Sequence, residues 1–139
     1  MSSREDAVKA LVTALETTGA EVWRATDLPE IVPPEGLIEV TEGEDQLEVM
    51  LSPLSYAHDL AVTVTCHTQA VDEAAREERL DTLLLSASSA LTDDLTLGGA
   101  VEVLMIGAPT MDAWEGEGAG RSASFPVSLV FTTVGSPLA

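Results

Sequence analysis

One cysteine, two histidines and six basic side chains are all that this chain of 139 residues offers for thiol, imidazole or cationic chemistry. A lone thiol, Cys66, excludes an intrachain disulfide and a cysteine-based zinc cluster. The six cations are Arg4, Lys9, Arg24, Arg76, Arg79 and Arg121; against 24 acidic residues they leave a net charge of −18. Gripping a nucleic-acid backbone needs clustered Lys or Arg, so tight binding of that ligand class is rejected. An anionic membrane surface is rejected on the same ground. Arg76 and Arg79 lie among Glu73, Glu77, Glu78 and Asp81, which neutralise them locally. No apolar run approaches the length that carries a helix across a bilayer. The opening MSSREDAVKA is charged and then amphipathic, without the continuous apolar region of a signal peptide. Cytoplasmic synthesis and assembly are the expectation.

Aromatics make up 4% of the chain while apolar residues reach 45%, so the core must be built of Val, Leu and Ala. The length suits one domain, residues 1–139. SREDAVKALVTALETTG predicts a short amphipathic helix: Val8, Leu11, Val12 and Leu15 share a face. Ser2 or Ser3 caps it, and Gly19 suits its end. EVWRA reads as a short strand, DLPEIVPPEG as a connector, and LIEVTEGEDQLEVMLS as two short strands around an acidic turn at Gly43 to Asp45. YAHDLAVTVTCHT predicts a long strand with Leu60, Val62, Val64 and Cys66 on one side. A longer helix follows from Asp72 to Leu91, striped by Leu80, Leu83, Leu84, Ala87 and Leu91. AVEVLMIG and SASFPVSLVFTTV close the chain as strands. Pro126, lacking a donor, points to an edge position or a bulge in the last of them. The order implies an α+β domain, a mainly antiparallel sheet with two helices and an extended acidic hairpin.

Chemistry is scarce in this pattern. Asp93 and Asp94 are adjacent, so their side chains diverge, and nothing nearby separates their pKa values; they read as turn formers. Gly98 and Gly99 fit positive φ after the helix rather than a phosphate loop, since three carboxylates and no lysine lie close by. On one regular strand His58 and His67 face opposite ways, and Cys66 falls among buried valines as inert filler. No Ser-His-Asp arrangement is recognisable by motif. DAWEGEGAG lacks the ligand spacing of a calcium loop. It reads as a hairpin tip, or as a protein-contact arm in which Met111, Asp112, Trp114, Glu115 and Glu117 take part, Met111 and Trp114 being the anchors. No catalytic residue, metal or cofactor is expected.

With those residues placed, the chain resembles the tail terminator (tail-completion) proteins of long-tailed phages and gene transfer particles. The likeness is one of layout: the first helix leading to EVWRATDLPEIVPPEG, the strand YAHDLAVTVTCHT, the helix ending in LDTLLLSASSALTDDLTLGGAVEV, an acidic hairpin, and RSASFPVSLVFTT. DDLTLGG is its most telling segment, and the extreme acidity is a departure. The resemblance implies an α+β fold that forms a ring, usually of six copies, at the head-proximal end of the tail in the virion. Such a ring stops polymerisation of the major tail tube protein and docks to head–tail connector proteins. DNA would pass through without specific binding. A connector or stopper ring is the alternative within the same kind of particle, and a small-molecule-binding or hydrolytic α+β domain the alternative outside it.

Overall fold

The computed structural model describes residues 2–24, 32, 36–69, 72–113 and 120–139. The first helix, α1 (Ser3–Glu16), starts where predicted, because the Ser2 hydroxyl accepts the Glu5 N–H at 3.2 Å. That bond satisfies one of the orphan donors of the first turn. Ala7, Val8, Leu11 and Leu15 are fully buried, and Gly19 turns the chain at φ +86°. Strands β1 (Glu21–Arg24), β2 (Leu37–Leu51) and β3 (Leu54–Gln69) follow. Helix α2 (Glu73–Thr92) then leads through a single 3₁₀ turn (Leu97–Gly99) to β4 (Val103–Ile106), β5 (Thr110–Ala113) and β6 (Gly120–Val134).

The sheet runs β1-β2-β3-β6-β4, with β5 also paired to β6. All pairings are antiparallel except β1 with β2. The fold class is α+β, as expected. Even-numbered residues of β3 (Leu60, Val62, Val64, Cys66) join the odd-numbered Phe125, Val127, Leu129 and Phe131 of β6 on one side of the sheet. Both helices pack there, α2 contributing Leu80, Leu83, Ala87 and Leu91. Each leucine buried in this way contributes about 2 kcal/mol, and aliphatic side chains make up most of this layer.

Two expectations are corrected. Residues 37–51 form one strand rather than two strands and a turn. Glu42 pairs with Val62 and Asp45 with Leu60, so Gly43 and Glu44 together oppose Ala61 as a β-bulge. A Cβ on Gly43 would lie 3.1 Å from the Ala61 carbonyl oxygen, which explains a glycine at that place. Composition alone made this stretch look like a turn; the paired strand decides otherwise. Pro126 is likewise in neither an edge strand nor a bulge. It pairs with Thr63 on one side, while β5 covers residues 121–124 and β4 covers 127–130 on the other. Its carbonyl accepts the Gly107 N–H at 2.8 Å. A strand residue presents N–H and C=O to the same neighbour, so the missing donor faces the gap between β5 and β4 and the ladder loses little.

Candidate functional site

Among the described residues, β1 covers β2 over Leu37–Val40 and β4 covers β6 as far as Val130. Beyond those limits β2, β3 and β6 pair on as a three-stranded arm. The bulge sets the arm's polarity. Before it, even residues of β2 share the side of the core (Ile38 opposite Cys66, Val40 opposite Val64); after it, odd ones do. Leu47 is therefore level with His58 and Phe131, Val49 with Tyr56 and Thr133, and Leu51 with Leu54. This apolar row prolongs the core face into solvent: Leu51 is 79% exposed and Val49 51%. Met50 and Val134 are exposed on the reverse side. Between Glu48 and Asp59 there is no Asp, Glu, Lys or Arg. An aliphatic, neutral projection on a molecule of net charge −18 is the kind of surface that marks a protein contact.

The arm's base is bound crosswise. His58 is almost wholly buried and stacks on Phe131, ring centroids 4.5 Å apart and 7° from parallel. Its Nδ1 lies 2.7 Å from Asp45 Oδ2 and its Nε2 lies 2.8 Å from the Thr133 hydroxyl. A second row crosses the same three strands on the other face: His67 Nδ1 is 2.7 Å from the Ser122 hydroxyl and Nε2 is 3.3 Å from Glu39. The two histidines do face opposite ways, and each joins a carboxylate on β2 to a hydroxyl on β6. The Asp45–His58–Thr133 order is that of a nucleophilic triad. Yet Thr133 is 3% exposed, which denies an acyl carbonyl the approach that such chemistry needs. These rows hold strands together. An ionic cluster does the same for β1, α1 and β2, where Arg24 contacts Glu5 at 2.6 Å and Glu42 at 3.3 Å, and Arg4 contacts Glu42 at 3.3 Å.

At the opposite edge of the sheet, α2 and the β4–β5 connection enclose an open groove of about 280 Å³. Its walls include Leu84, Leu85, Ser88, Ile106, Pro109 and Phe125, with Asp81 the one carboxylate among the described residues. Leu85 is 63% exposed there.

Of the residues singled out in the sequence, Met111 is exposed on β5 opposite Ala123, and the Asp112 backbone pairs with Ser122. Trp114, Glu115 and Glu117 lie outside the described residues. Asp93 caps α2, its N–H bonded to the Ser89 carbonyl. Asp94 closes the turn: Oδ1 accepts from the Thr96 N–H and hydroxyl, and Oδ2 accepts the Gly98 N–H at 2.8 Å. These donors hold the Asp94 carboxyl below its usual pKa. Leu97, Gly98 and Gly99 have φ of +50°, +69° and +92°, so the chain reverses through three left-handed residues. Cys66 is fully buried, and desolvation pushes its thiol up to about 12. Among the described residues no group of three or more His, Cys, Asp or Glu is placed to hold a metal ion, and no helix is long and apolar enough to cross a membrane. What sequence reasoning missed is the arm formed by β2 and β3. The available signal was VMLSPLSYA, an uncharged run in an acidic chain with a Ser-Pro turn at its centre.

No protein-family model matches the chain, and no curated protein matches it. Among solved structures it is similar to a chain in the virion of a native gene transfer agent particle, at 14% identity and a TM-score of 0.38, with 95% of this chain and 92% of that chain covered.

Proposed function

We propose that this protein is a non-enzymatic structural component of a phage-like particle, forming a ring that caps the tail tube at its head-proximal end. In this reading six copies close the ring, end polymerisation of the major tail tube protein and present the surface to which head–tail connector proteins dock. The family resemblance in layout supports it, and the arm carries it. Leu47, Val49, Leu51 and Leu54 are each between 44% and 79% exposed on a protein of net charge −18. Such a face is costly in water and is recovered by burial against another chain. Copies of net charge −18 repel one another, so contact falls where charge is absent, and added salt tightens assembly by screening. An acidic wall would let DNA pass without holding it.

Solution mass at low and high salt, then negative-stain imaging with purified tail tubes, tests the reading. The expected result is a ring whose population rises with salt and which binds tube ends. Binding only on the portal side would instead make the protein a connector or stopper ring. A monomer at both salts, with or without tubes, would sink the ring reading altogether. Turnover of an ester or amide substrate that disappears in Thr133→Ala would move the chain to the hydrolytic alternative.

A further inference from the structure

The ring reading leaves open which surfaces of a copy meet. We infer that the arm of one copy seats in the α2–β4 groove of the next, so that identical chains join head to tail. This rests on the ring reading and names its interface. A closed ring of more than two copies needs two different patches on each chain, each complementary to the other. The molecule carries two distinct patches: the arm, where β2, β3 and β6 pair on beyond β4, and the groove between α2 and the β4–β5 connection.

The chemistry of the two patches matches. The arm presents Leu51, Leu54 and Val49, with no charged residue between Glu48 and Asp59. The groove presents Leu84, Leu85, Ile106 and Phe125, and the two stretches that build most of it, residues 82–92 and 103–111, contain no charged residue either. On a chain with 24 acidic residues, an arm tip without charge can approach a groove that holds Asp81 without carboxylate meeting carboxylate. At about 280 Å³ the groove lies just below the usual range of ligand clefts, about 300–1,000 Å³. It is open to solvent and has room for a few aliphatic side chains.

Cysteine pairing in the full-length protein tests this. Leu51→Cys and Leu85→Cys are made singly and together, with Leu54→Cys as a second arm position in case the first spacing is unsuitable. Native Cys66, buried, does not compete. Under mild oxidation at high salt, the double variant should give a ladder of covalent multimers ending at the ring mass. A mixture of the two single variants should give a covalent dimer, and each single variant alone should stay monomeric on a non-reducing gel. Cross-linking of Leu51→Cys with itself would show arm meeting arm and overturn the head-to-tail join. A ring of normal mass that cross-links through neither arm position would overturn the seat while leaving the ring reading intact. A monomeric wild-type chain would overturn both.

Discussion

His58→Leu removes the side chain that ties all three strands together at the base of the arm. The imidazole is buried, with 2% of its side chain exposed, and bonds Asp45 and Thr133 while stacking on Phe131. Losing a buried hydrogen bond to a carboxylate costs about 1.5–3 kcal/mol, and leaving the Thr133 hydroxyl unpaired about 1–3 kcal/mol. The stack is worth roughly 1 kcal/mol. A buried leucine returns about 2 kcal/mol. Asp45 is 24% exposed and regains some water, which favours the lower end of its range. The balance is a loss of about 3 kcal/mol, or on the order of 10 °C in melting temperature for a domain this size. Urea denaturation followed by circular dichroism measures it. Because Asp45 and Thr133 act through the same ring, Asp45→Leu with His58→Leu should be less damaging than the sum of the two, by about 2 kcal/mol. A His58→Leu variant within about 0.5 kcal/mol of wild type, or strict additivity in the pair, would refute the view that this row fastens the arm.

Three other outcomes are expected. Gly107→Ala should destabilise by about 1–3 kcal/mol, because its Cβ would fall 3.1 Å from Pro126 Cδ and closer still to Cγ; adding Pro126→Ala should restore most of the loss, and an unchanged thermal midpoint in the single variant would refute the clash. Asp94→Asn keeps an acceptor for Thr96 but sets an amide against the Gly98 N–H. Since the folded-state pKa of Asp94 lies below its ordinary value of 3.8, the stabilisation is present above the ordinary value and lost as pH falls through the depressed one. The gap in stability between wild type and Asp94→Asn should therefore close on acidification; a gap independent of pH would contradict this. Cys66, its thiol raised to about 12, should resist disulfide reagents in the native protein at mildly alkaline pH and react fully in denaturant. Rapid stoichiometric labelling of folded protein would contradict its burial.

Where one residue face meets one layer, the sequence was legible. Leu11 and Leu15 in α1, Leu80 and Ala87 in α2, and the alternation of β3 and β6 all follow from period and polarity, because the helix or strand decides the side by itself. The parts that escaped are those settled by a distant strand. Glu42 and Asp45 read as a solvated turn until Arg4, Arg24 and His58 are brought beside them, at separations of 13 to 38 residues. Pro126 looked incompatible with an inner strand because the gap between β5 and β4 is a property of three segments at once. The parallel pairing of β1 with β2 has no local signature. The proposed contact surface has none either: Trp114 stands out in the sequence, whereas the aliphatic VMLSPLSYA becomes notable only as the exposed tip of β2 and β3.

The two-for-one step at Gly43 and Glu44 has a consequence for how this protein changes over generations. With the step in place Asp45 lies opposite Leu60, and a single codon lost there would straighten the ladder while every side chain from residue 45 to 51 kept its side. A codon lost farther along, between Gln46 and Met50, has no spare unit to absorb it and would bring Glu48 or its neighbours round to the greasy side of the projection. Lineages should therefore tolerate a change of length at the step itself, and lose the assembly when the same change falls a few residues later.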